Sequence, residues 1–102
     1  MEEIRPVRLR FTPRALSQFS SIGTYIARDD PAAAVRVGQR IQSICNTLVR
    51  VPGLGRTGAL PGTREVSVPG LPYVIVHRVT IEEVVVLGIY HHRQIRPGQT
   101  QP

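Results

Sequence analysis

The sequence predicts an α+β fold in the order β-α-α-β-β-β, with a helical hairpin packed on one face of an antiparallel sheet. Three observations carry that expectation. Two amphipathic segments, each opened by a proline, follow one another with barely a residue between them. Three β-rich segments come next, divided by short turns. At 102 residues the chain has room for one modest core. We therefore expect a single domain, ordered over about 7–93, with a polar tail over 94–102.

Val7 to Phe11 (VRLRF) alternates apolar residues with arginine, the period of a half-buried strand with Arg8 and Arg10 facing out. Thr12 then offers a helix cap, with Pro13 at the first helical position. Leu16, Phe19, Ile22 and Ile26 continue at helical spacing, giving an amphipathic helix over 13–28. Asp30 and Pro31 repeat the device. The stripe Ala34, Val37, Ile41, Ile44 and Leu48 then marks a second helix, which Pro52 and Gly53 stop. So short a link makes the two helices an antiparallel hairpin. TREVSV (63–68), YVIVHRV (73–79) and VVVLGIYHH (84–92) are strands joined by short turns, an antiparallel meander, and residues 7–11 pair into the same sheet. RQIRPGQTQP reads as a frayed, proline-rich tail.

Composition narrows the chemistry. The net charge is +6, and all 13 basic residues are arginine. An arginine-rich surface suits acidic partners or phosphate. The absence of lysine excludes Schiff-base chemistry. Cys45 is the one cysteine, so no internal disulfide is possible, and its place beside Ile44 makes it a core residue. The acidic start MEEIRP is not a secretory signal, and no apolar run approaches the ~20 residues of a membrane span. A reducing cytoplasm is the expected location, with no membrane association.

Gly53, Gly55 and Gly58 spell G-x-G-x-x-G, but a dinucleotide fingerprint stands between a strand and the helix that receives the pyrophosphate. Here the glycines follow a helix and precede a strand, so they end the helix and turn the chain. No cofactor is implied. In the central strands Val74, Ile75 and Val76 are consecutively apolar, as are Val84 to Leu87, with Ile89 beyond. A single helical hairpin covers one face, so the other is expected to be an exposed apolar patch awaiting a partner, the alternative being that the loop at 52–62 and the C-terminal tail fold over it.

The polar groups of the C-terminal half are Arg56, Arg64, Arg78 and Arg93, with Tyr90, His91 and His92. Arg64 shares a strand face with Val66 and Val68, and Arg78 with Val74 and Val76, while Glu65 points away from Arg64. His91 and His92, adjacent in a strand, are expected on opposite faces, and no carboxylate or cysteine lies near enough in sequence to complete a metal site with them.

YIARDDPAAA, then P-x-x-GR, GTREV, PYVIVHRV and a last strand ending in HHR together resemble the RelE/ParE superfamily of toxins from type II toxin–antitoxin modules. The resemblance runs from about Val7 to Arg93. It implies the fold expected above and an antitoxin whose flexible segment folds onto the toxin, in a higher-order complex. Two activities follow from it. ParE-like members poison DNA gyrase by protein contact. On that branch there is no catalytic set, and Arg64, Arg78, Tyr90 and Arg93 would contact the target. RelE-like members cleave mRNA on the ribosome. On that branch Arg56, Arg64, His91, His92 and Arg93 would bind phosphate and move protons. The chain departs from the RelE pattern, with Val74 where an arginine is expected and no tyrosine after the last strand. GTRE and PYVIVHRV are more similar to the ParE branch. A non-toxic, partner-binding member of the fold is a third reading.

Overall fold

The computed structural model describes residues 7–99. Residues 1–6, and residues 100–102 of the expected tail, lie outside the described residues. The elements are β1 (Arg8–Phe11), α1 (Pro13–Ala27), α2 (Pro31–Arg50), β2 (Arg56–Thr57), β3 (Arg64–Ser67), β4 (Tyr73–Val79) and β5 (Glu83–His91). Both helices start where the caps predict. The Thr12 hydroxyl accepts from the Ala15 amide at 3.1 Å, and the Asp30 carboxylate accepts from the Ala33 amide at 3.0 Å. Each supplies an acceptor for a first-turn amide that has no partner within the helix.

The strands form one five-stranded sheet in the order β1-β5-β4-β3-β2. The meander β3–β4–β5 is antiparallel, as expected, but β1 runs parallel to β5, so the sheet is mixed. A parallel neighbour needs a long crossover, and everything between β1 and β5 provides it. The two-residue strand β2, paired with β3, was not foreseen. Gly55 makes that pairing possible. Its φ is +94°, and a side chain there would run into the Glu65 carbonyl.

The core lies between the helices and one sheet face. Ile41, Cys45 and Leu48 of α2 and Ala15 of α1 meet Val66, Ile75, Val84, Val86 and Ile89, all buried. Burial pushes the Cys45 thiol up to about 12, consistent with its place in the core. The register jumps between Val76 and His77 of β4, leaving Leu87 of β5 without a cross-strand partner. That bulge shifts the alternation of β5 by one, so Val84 and Val86 before it and Ile89 after it all face the helices. The bulged backbone is satisfied from α1 and its cap. Thr12 donates its hydroxyl to the Leu87 carbonyl at 3.0 Å, and Gln18 accepts from the Ile89 amide at 2.9 Å.

The expectation of an exposed apolar second face is corrected here. Val74, Val76, Val85 and Tyr90 on that face are 3%, 1%, 5% and 6% exposed. The tail does not fray over 94–99. It returns to the loop between α2 and β3, with Gly98 against the backbone of Ala59 and Leu60, and buries Arg96.

Candidate functional site

On the second face, Arg56 of β2 stands opposite Glu65 of β3, which stands opposite Val76 of β4. The Glu65 carboxylate is 4% exposed and lies between two arginines. Arg96 Nε donates to its Oε1 at 3.0 Å, and Arg56 contacts the same oxygen at 3.4 Å. The guanidinium of Arg96 also donates to the carbonyls of His92 and Gln94, at 3.2 and 3.4 Å. A buried anion needs such company, since its desolvation is otherwise uncompensated. Tyr90 and Arg78 share this face. Tyr90 is buried with its ring over Gly88, whereas Arg78 is exposed beside Gly62.

On the helix side, Arg64 stands opposite His77, near the end of α2. Arg64 donates to the Gly55 carbonyl at 2.8 Å, and His77 donates through Nε2 to the Pro52 carbonyl at 3.2 Å. Because that carbonyl can only accept, Nε2 carries the proton and the neutral ring offers Nδ1 as an acceptor. His77 is fully buried, and burial holds its pKa below the ordinary value, with the Arg64 charge acting the same way. His77 Nδ1 and Arg64 Nε are both buried without a protein partner.

At the other end of β4, Ser21, Ile22 and Tyr25 of α1 face Tyr73, His91 and Gln94 across an open cleft of about 350 Å³. The His91 ring meets Tyr73 edge-on, with centroids 5.9 Å apart. Here a second expectation is corrected, because His91 and His92 do not point to opposite faces. β5 ends at His91 and the chain turns, with Gln94 N donating to the His91 carbonyl, so the two rings stack 4.7 Å apart. His91 Nδ1 accepts from the Arg93 amide at 3.2 Å, and His92 Nδ1 donates to the Pro72 carbonyl at 3.3 Å. The Arg93 side chain is exposed.

The predicted residues thus fall in three places. Arg56, Arg78 and Tyr90 lie on the second face. Arg64 lies on the helix side, and His91 is four residues of β4 away from it, about 13 Å along the strand. His92 and Arg93 occupy the turn after β5. Glu65, Arg96 and His77 were missed as site residues. Only Glu65 left a trace in sequence, as the one carboxylate of its strand. Among the described residues no three or more His, Cys, Asp or Glu side chains converge as a metal site would require, and no helix is long and apolar enough to cross a membrane.

A helical hairpin on one face of a mixed five-stranded sheet is a fold this chain shares with toxins of toxin–antitoxin complexes. The family described as the ParE toxin of type II toxin–antitoxin systems, parDE, matches residues 9–96, and the chain belongs to it. Relatives agree. The chain is 40% identical over 90 residues to Y4kP of Sinorhizobium fredii, a protein named as a toxin, covering 88% of this chain and 93% of that one. It is 34% identical over 80 residues to Toxin RelE1 of Caulobacter vibrioides, covering 76% and 85%. The chromosomal ParDE system of P. aeruginosa has a chain that superposes with a TM-score of 0.76 at 25% identity, covering 84% of this chain and 96% of that one. The RelBE2 complex of Mycobacterium tuberculosis shares the fold, with a TM-score of 0.60 at 21% identity over 89% and 97%.

Proposed function

We propose that this toxin-family chain arrests growth by contacting DNA gyrase, and that a cognate antitoxin neutralises it in a higher-order complex. The observation that carries this reading is the dispersal of the groups a nuclease would use. Cleavage of RNA needs a base, an acid and a phosphate clamp around one reacting centre. Arg56 is engaged by Glu65 on one face, Arg64 leaves the sheet on the other, and His91 sits against Tyr73 at the far end of β4. Protein contact requires no such convergence. The fold likeness to the ParDE structure, greater than that to RelBE2, supports the same reading.

The antitoxin follows from the surface. Leu16, Tyr25 and Val35 on the helices are 55%, 70% and 59% exposed, and the net charge is +6. An acidic, amphipathic segment matches apolar side chains set among arginines. RelE-like cleavage is the second reading, favoured by the stacked His91–His92 pair with Arg93 beside it. Pulse labelling after induction of the chain separates them. We expect thymidine incorporation to fall while amino-acid incorporation first holds. An immediate fall in amino-acid incorporation with DNA synthesis intact would transfer the assignment to mRNA cleavage.

A further inference from the structure

The sheet face turned away from the helices is apolar at its centre, with Val74, Val76 and Tyr90, holds the Glu65 carboxylate between Val76 and Arg56, and is basic at its rim, with Arg56 and Arg78. The chain closes this face with its own segment 92–99. Two contacts hold the segment down. One is the buried pair between Arg96 and Glu65, and the other is the fit of Gly98 against the Leu60 backbone.

The segment's other hydrogen bonds are internal or lie at its base. Arg96 N donates to the Gln99 side chain at 2.8 Å and Gln99 N to the Arg96 carbonyl at 3.0 Å. The Arg96 guanidinium reaches back to His92 and Gln94. At the base, His92 N donates to the Pro72 carbonyl at 2.9 Å. A segment wound in this way can lift as a unit. Lifting breaks one ion pair and one close contact rather than a ladder, and the freed arginine keeps its own turn.

We propose that residues 92–99 form a strap over an interaction surface, hinged at His92 and latched by Arg96 on Glu65, and that the opened face docks an acidic protein surface. This rests on the reading of the chain as a toxin that acts by protein contact. An apolar centre ringed by cations is the anatomy of a protein interface. Opening also adds Arg96 to the rim. The closed strap competes with the target, so apparent affinity is reduced by the fraction of chains that are open.

Two full-length variants open the strap by different means. Gly98→Ala sets a β-carbon against Leu60 at a residue whose φ is +85°, and Arg96→Gln removes the latch cation. Trypsin cleavage after Arg93, followed by mass spectrometry, reads the opening, since the Arg96–Pro97 bond resists trypsin. We expect that cleavage to quicken about tenfold in both variants, with circular dichroism of the body unchanged, and growth arrest to need about tenfold less protein. Adding Arg78→Ala to Gly98→Ala should reverse the gain in potency.

Unchanged cleavage in both variants would overturn the latch. Faster cleavage with no gain in potency, in a chain that does arrest growth, would overturn the docking surface. If neither the parent chain nor the variants arrest growth, the toxin reading falls and the docking surface with it, while cleavage alone still decides the latch.

Discussion

The buried Glu65 carboxylate shares its Oε1 between two arginines, and the two are not equivalent. Arg96 is 7% exposed, whereas Arg56 is 65% exposed and largely screened. Arg56→Ala should therefore lower the unfolding free energy by less than about 1 kcal/mol, as exposed pairs do. Arg96→Ala should cost about 1–2 kcal/mol. That is below the ~3–5 kcal/mol of a carboxylate trapped without a partner, because the strap can lift and admit water to Glu65. Urea denaturation of the two variants checks the ranking, and equal losses would contradict it. His77 makes a pH prediction. Burial lowers its folded pKa below the ordinary 6.5, so above that value both states are neutral and no stability is at stake. Below it the unfolded chain takes up a proton that the folded chain resists, and stability falls with pH by up to about 1.4 kcal/mol per unit until the folded pKa is reached. His77→Asn should flatten that part of the stability profile, and an unchanged profile would remove His77 as its cause. Cys45, its thiol pushed up to about 12, should resist iodoacetamide at neutral pH until the protein is denatured.

Among the elements, the junction of β1 and α1 turns on a single residue. Thr12 caps α1, donates its hydroxyl to Leu87 and gives its amide to Val86, so one residue joins helix, edge strand and bulge. Thr12→Ala should cost about 2 kcal/mol and Asp30→Ala about 1, measured by thermal melting, with Thr12→Ser recovering most of the loss. Both caps were legible in the sequence because capping is local, a side chain meeting an amide three residues on. The faces of Arg64 and Arg78 were legible for a similar reason, strand alternation. The direction of β1 was not, since four residues read the same in either sense and the choice belongs to the crossover. Nor was the strap. Arg96 finds Glu65 across 31 positions, and a proline-rich polar tail carries no periodicity to announce a buried ion pair. The stacking of His91 on His92 escaped because it depends on where β5 stops, a boundary set by the turn that follows.

At the scale of the molecule, the two apolar faces of β4 and β5 are shared between two covers, the helical hairpin on one side and the chain's own loop and tail on the other. The second cover accounts for central strands that are apolar on both faces in a chain of this size. Tyr90 is buried on this same face. The excess of arginine lies on this protein's outside, at Arg78, Arg93 and the rim residue Arg56. Such a surface steers the chain toward acidic partners at a rate that falls with salt. The most direct measurement is the supercoiling of relaxed plasmid by purified DNA gyrase in the presence of this chain. Inhibition should rise with the amount of chain and be relieved by adding the antitoxin. Undiminished supercoiling by gyrase, with a chain that still arrests growth, would contradict it.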